Sequence, residues 1–147
     1  VYKRQNFTPE EQHTMLTLWC LFGSPLMLGC ELTKLDDSTL ALLTNRDVLS
    51  MLTPDCKPHQ VCLDDEKAIW CAYNAVTGEH FAAFFNLSDE THTIHCDIET
   101  LHVGDEPCAH KDASLTELWS KEKTSVSGSA ISVTPPAHGC LVFRVEN

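Results

Sequence analysis

The 147-residue sequence predicts two structural regimes in one chain, an α/β segment followed by an all-β antiparallel sandwich. Helical periodicity governs residues 8 to 52 and is interrupted once, by the apolar run Leu26 to Leu28. From about residue 54 that periodicity stops and turn residues recur at short intervals. Between those turns lie short apolar or alternating runs of strand length.

The first element starts at Thr8-Pro9-Glu10-Glu11, a capping box with proline at the first helical position. Met15, Leu18, Trp19 and Phe22 follow at helical spacing, with Leu16 widening the stripe, so this face is expected to be the buried one. Gly23-Ser24-Pro25 ends the helix. The next stretch, SPLMLGCEL at residues 24 to 32, reads as a strand buried on both faces, yet nothing in the first 55 residues can supply its hydrogen-bonding neighbours. Asp36 then caps a second helix whose Leu40, Leu42 and Leu43 are expected to face inward. Asn45 opens a shorter turn through Val48, Leu49 and Leu52.

The stretch PDCKPHQVCLDDEK, beginning at Pro54, reads as a linker or domain boundary. It divides the chain into residues 1–58, a helix-strand-helix unit, and residues 59–147, the sandwich. Strands are expected at 68–73, 81–87, 91–98, 115–119, 129–133 and 140–145. Thr77-Gly78, Asp89-Glu90, Gly104-Asp105 and His138-Gly139 punctuate them.

Composition narrows the function. Ten basic against twenty-one acidic residues give a net charge of −11, which opposes a phosphate backbone or an anionic membrane surface. The uncharged stretch from Thr14 to Cys30 falls short of the roughly 20 apolar residues a bilayer span needs and is broken at Gly23-Ser24-Pro25. Eight cysteines are scattered without a CxxC pair and are read as mostly reduced, with Cys56 and Cys62 the pair most open to bridging.

Several constellations have both a chemical and a plain structural reading. His92, His95, Cys96, His102, Cys108 and His110 offer zinc-ligand types, but without ligand spacing, so no metal is expected. Asp97 and Glu99 would lie about 6.5–7 Å apart on one strand face, near an inverting glycosidase's acid pair. Alternating charge on a strand is more commonly its solvated face. Trp70, Tyr73 and Trp119 could form a sugar-stacking platform, although core packing is the commoner use of such residues. Asn6-Phe7-Thr8 and Asn86-Leu87-Ser88 match the glycosylation sequon, a frequent chance match. No Gly-rich phosphate loop or GxSxG elbow is present.

The order of parts carries a family resemblance. TPEEQHTMLTLWCLFGSPLMLGCELTKLDDSTLALLTNRDVLSM resembles the stretch that closes the barrel in melibiase-type α-galactosidases of glycoside hydrolase family 27. Its Leu-Trp, Ser-Pro-Leu, Gly-Cys-acid-Leu and Leu-x-Asn-x-Asp-Val segments occur in that family's order. AAFFNLSDE, LTELW and VTPPAHGCLVFRV are similar to segments of the same family's C-terminal sandwich. Met51-Leu52-Thr53-Pro54-Asp55 replaces the family's Asn-Gln-Asp-Pro-Leu loop, Glu31 replaces its aspartate, Thr33 replaces a common arginine, and VYKRQ does not match its Gly-rich run.

The resemblance implies the last βα elements of a (β/α)8 TIM barrel, then an antiparallel Greek-key β-sandwich. It implies a parent that is a retaining exo-α-galactosidase, or a related α-N-acetylgalactosaminidase or β-L-arabinopyranosidase, using no cofactor and no metal. The family's catalytic aspartates precede the first residue here, so no catalytic residue is expected in this chain. Cys30 and Glu31 would lie on the substrate-pocket rim. The implied partner is an α-galactoside, bound through the upstream barrel portion, with a homo-oligomer also open; neither nucleic acid nor membrane is implied. A non-catalytic carbohydrate-binding or structural module is the alternative from another class. Without the barrel, residues 8 to 52 are expected to be protease-sensitive, leaving a core that begins near residue 59.

Overall fold

The computed structural model describes residues 7–29 and 31–147. Helix α1 (Pro9–Leu21) begins as its sequence demands: Thr8 Oγ1 accepts the Glu11 amide at 3.2 Å, and the Glu11 carboxylate accepts the Thr8 amide at 2.9 Å. Helix α2 (Asp37–Leu43) is capped by Asp36, which accepts the Thr39 amide at 2.8 Å. Helix α3 (Arg46–Leu49) is capped by Asn45, whose Oδ1 accepts the amides of Asp47 and Val48.

Ten strands follow: β1 (Cys56–Leu63), β2 (Lys67–Asn74), β3 (His80–Asn86), β4 (Ile94–Asp97), β5 (His102–Val103), β6 (Glu106–Pro107), β7 (Ser114–Glu117), β8 (Lys123–Ser125), β9 (Ala130–Val133) and β10 (Cys140–Glu146). A six-stranded sheet runs in the order β1-β2-β3-β10-β7-β8, and the pairs β4-β9 and β5-β6 form two smaller sheets. Every strand pair is antiparallel.

Alternation along the strands builds two cores from one sheet. Ile69 and Cys71 of β2, Ala82 and Phe84 of β3, and Phe143 and Val145 of β10 face the small sheets, where Ile94, Cys96, Ile131 and Val133 meet them. On the opposite face, Ala68, Ala72, Phe81, Ala83, Phe85 and Val142 meet the helices. The architecture is therefore three layers: helices, the large sheet, and the small sheets.

Four sequence expectations are corrected here. First, α1 buries Leu16, Thr17, Cys20 and Leu21 against the large sheet, while Met15, Trp19 and Phe22 of the expected stripe are exposed. The helix is apolar on both sides, and periodicity does not choose between two apolar faces. Second, residues 24–29 form no strand, consistent with the lack of neighbouring strands to satisfy that backbone. Third, Leu40 of α2 is exposed, with Leu42 and Leu43 half-buried.

Fourth, the supposed linker from Pro54 is largely strand β1, paired with β2 from Cys56↔Asn74 to Leu63↔Ala68, so the 58/59 division falls inside a strand. Pro58 and a register shift between Gln60 and Cys62 are tolerated because β1 is an edge strand.

The helical layer is fastened as well as packed. Asn45 Nδ2 donates to the Leu118 carbonyl at 2.9 Å, and Trp119 Nε1 donates to Thr17 Oγ1 at 2.9 Å. Asp47 sits between Lys121 and Arg144, and Arg144 also pairs with Glu79 at 3.1 Å. Hydrogen bonding from Lys121, aided by the charge of Lys121 and Arg144, holds the Asp47 carboxyl below its ordinary value of 3.8.

Because α1 and α3 are anchored in the core while most of the described residues from 23 to 35 are exposed, limited proteolysis should nick the chain between residues 23 and 35. It should not, as the sequence alone suggests, clear residues 8 to 52 to leave a core near residue 59. The α1 fragment should then co-purify with the sandwich, and its release under native conditions would argue against the packing. The Asp47 contribution should be complete above pH 3.8 and lost as pH falls through the lower folded value. Asp47→Asn should therefore lower stability in urea at pH 7 and flatten the decline below about pH 4.

Candidate functional site

The residues first singled out for chemistry are dispersed by the fold. Asp97 ends β4 and Glu99 lies in the following 3₁₀ turn (Ile98–Thr100), so they do not share a strand face. His92 bonds Ser88, His95 bonds Ser132, and His102 bonds the Gly104 carbonyl while stacking on His59. Among the described residues, no three His, Cys, Asp or Glu side chains are placed to hold a metal ion.

The aromatic residues make no common platform. Trp70 packs edge-on against Phe22, and Trp119 against His13, whereas Tyr73 stacks on His80. Trp70 and Tyr73 are an odd number of residues apart on β2 and so point to opposite faces.

Asn86 is 1% exposed; its amide donates to the Glu90 and Pro135 carbonyls and its oxygen accepts from Ser88. In the folded chain it pins a turn and is no acceptor for a glycan. The other sequon asparagine, Asn6, lies outside the described residues.

All seven described cysteines are free. Cys56 and Cys62 lie six residues apart along β1, about 20 Å by strand rise, too far to bridge.

Glu117 is the buried acid that sequence reasoning missed. It is 4% exposed, and its carboxylate accepts the amides of Trp119 (2.8 Å), Ser120 (2.6 Å) and Val142 (3.2 Å). Those bonds hold the turn after β7 against β10, which is a structural use of a carboxylate. Two of the donors to Glu117, Trp119 and Ser120, lie two and three residues on in the following turn, whereas the Val142 bond, 25 residues away, is the part that no local pattern shows.

Large apolar side chains are exposed on and just after α1: Met15, Trp19, Phe22, Met27 and Leu28, Met27 to 84%. Trp19 Nε1 donates to the Pro25 carbonyl at 2.7 Å, folding the segment after α1 back along the helix. A shallow cleft of about 310 Å³, lined by Phe22, Leu52, Pro54, Cys56 and Pro58 among others, opens between the end of α1 and the start of β1.

Glu31 lies at the end of this apolar segment. It is exposed, accepts from Thr33 Oγ1 at 2.8 Å and pairs with Lys34 at 3.1 Å; the Thr33 bond, then Lys34, lowers its pKa. Cys30, the other sequence-predicted rim residue, lies outside the described residues.

Fold and site together define an antiparallel β-sandwich domain carrying a helical layer with one buried and one exposed apolar face. The family described as the alpha galactosidase C-terminal beta sandwich domain matches residues 64–145, and the chain belongs to it. Alpha-galactosidase A of Cellvibrio japonicus is 25% identical over 146 residues, covering 95% of this chain and 36% of that protein.

A GH27 β-L-arabinopyranosidase from Geobacillus stearothermophilus superposes with a TM-score of 0.84 at 30% identity, covering 96% of this chain and 31% of its own. Alpha-galactosidase I from Mortierella vinacea shares the fold with a TM-score of 0.82 at 18% identity, covering 95% of this chain and 36% of its own. The chain thus spans about a third of the length of these relatives.

Glu117→Ala would strand the buried Val142 amide and remove the acceptor of the part-buried Trp119 and Ser120 amides. It should cost about 2–3 kcal/mol in chemical denaturation, mostly through the Val142 amide. An effect below about 1 kcal/mol would contradict the role given to this carboxylate.

Proposed function

We propose that this chain is the C-terminal part of a retaining exo-α-galactosidase of glycoside hydrolase family 27. In this reading α1, the apolar segment after it and α2–α3 complete a (β/α)8 barrel, and the sandwich braces that barrel from behind.

The observation that carries the reading is the two-sided helix α1. Its Leu16, Cys20 and Leu21 are sealed by the sandwich, while Met15, Trp19 and Phe22 on the other side remain exposed. Large apolar side chains exposed together mark an interaction surface. The apolar run Leu26 to Leu28 beside it would become the last barrel strand once a neighbouring strand satisfies its backbone. Cys30 and Glu31 would then lie at the C-terminal end of that strand, on the substrate-pocket rim, which is the face where such barrels build their active sites.

Retaining hydrolysis requires two carboxyl groups about 5–5.5 Å apart across the glycosidic bond. In this reading both are supplied by the upstream portion of the parent. The sandwich contributes rigidity and burial rather than chemistry.

The purified chain should not hydrolyse p-nitrophenyl α-galactoside, whereas the full-length protein should. The β-L-arabinopyranoside analogue is the second substrate to assay, given the Geobacillus relative. Turnover by the pure chain, or inactivity of the full-length protein on both substrates, would sink the proposal.

A further inference from the structure

The sandwich core brings together cysteines that are far apart in sequence. Cys71 lies on β2, Cys96 on β4, and Cys108 just after β6; all three belong to the same buried cluster, with Cys62 packed against it. Cys71 and Cys108 are each 0% exposed.

Two relations set this pair side by side. In the antiparallel register Cys71 is the partner of Ala82, so their Cα atoms are about 4.5–5.5 Å apart. Cys108 Sγ donates to the carbonyl of Phe81, the residue bonded to Ala82, at 3.3 Å. The Cys108 thiol therefore lies over the peptide that Cys71 faces.

We propose that Cys71 and Cys108 form a redox-closable crosslink that ties β2 to the segment after β6, with a small-molecule disulfide such as oxidised glutathione as the oxidant. Nothing in the family reading requires it, and it stands or falls independently of the parent's activity.

Cys108 is the point of entry. It follows the two-residue strand β6, whose Glu106 and Pro107 are exposed, so opening of the small β5-β6 hairpin uncovers it first. The Cys108 thiolate attacks one sulfur of oxidised glutathione, forming a mixed disulfide and expelling one glutathione thiolate. The Cys71 thiolate then attacks the Cys108 sulfur and expels the second. Two protein S–H bonds and one S–S bond are exchanged for one protein S–S bond and two glutathione thiols, which take up the two protons.

Hydrogen bonding to Cys108 and burial hold the Cys71 thiol far above its ordinary pKa, so the exchange should be slow in the native state and faster at alkaline pH.

The test uses the whole chain with all eight cysteines. It is incubated with oxidised glutathione at pH 8.5, quenched with an alkylating reagent and mapped by peptide mass spectrometry. A linked Cys71–Cys108 peptide pair should dominate, with two fewer alkylated thiols and an unchanged far-ultraviolet spectrum. The thermal midpoint should rise and return on reduction. Cys108→Ser should lose both the linked peptide and the midpoint shift. Persistence of both thiols after prolonged oxidation, or a dominant link between other cysteines, would overturn the proposal, and neither readout on the wild-type chain depends on the variant folding.

Discussion

Everything else in the molecule depends on the burial of α1 and α3 against one face of the six-stranded sheet. Leu16 and Leu21 of α1 and Val48 and Met51 around α3 are almost fully removed from water, and Phe81, Phe85 and Val142 provide the surface they cover. Burying each such side chain is worth roughly 1.5–3 kcal/mol before conformational entropy is charged against it. Without that layer, the aromatic face of β3 would be bare and the large sheet would be covered on one side only.

Polar fasteners give the contact its register. Asn45 serves two layers at once, capping α3 with its oxygen and reaching the Leu118 carbonyl with its amide nitrogen. Thr17, 0% exposed, accepts the Trp119 indole proton. The sandwich answers with Glu117, which holds the turn carrying Leu118 and Trp119 in place. Buried polar groups of this kind are costly unless fully paired, so they specify one docking geometry where apolar packing alone would allow several.

Local chemistry in the sequence was legible wherever a few adjacent residues determine the outcome. The Thr8 capping box, the Asp36 and Asn45 caps and most central strands are of this kind, because cap and alternation signals act over a few residues. What was not legible depended on partners distant in sequence. The orientation of α1 was misread because both of its faces are apolar, and β1 was hidden by Pro58 and by the exposed side chains of an edge strand. The two-residue strands β5 and β6 are too short to show alternation. The role of Asn86 was masked by a sequon that its burial makes irrelevant. At the candidate site, the exposed apolar face of α1 emerged only once the sandwich had claimed the other side of the helix.

The central claim is that the helical layer belongs to the folded sandwich and still presents a second apolar face outward. Amide hydrogen exchange on the isolated chain tests it most directly. The account predicts that amides in the second half of α1, from Leu16 to Leu21, are protected to a degree approaching those of β3, while residues 24–29 exchange at once. Exchange of α1 as fast as that of residues 24–29, with β3 still protected, would contradict it.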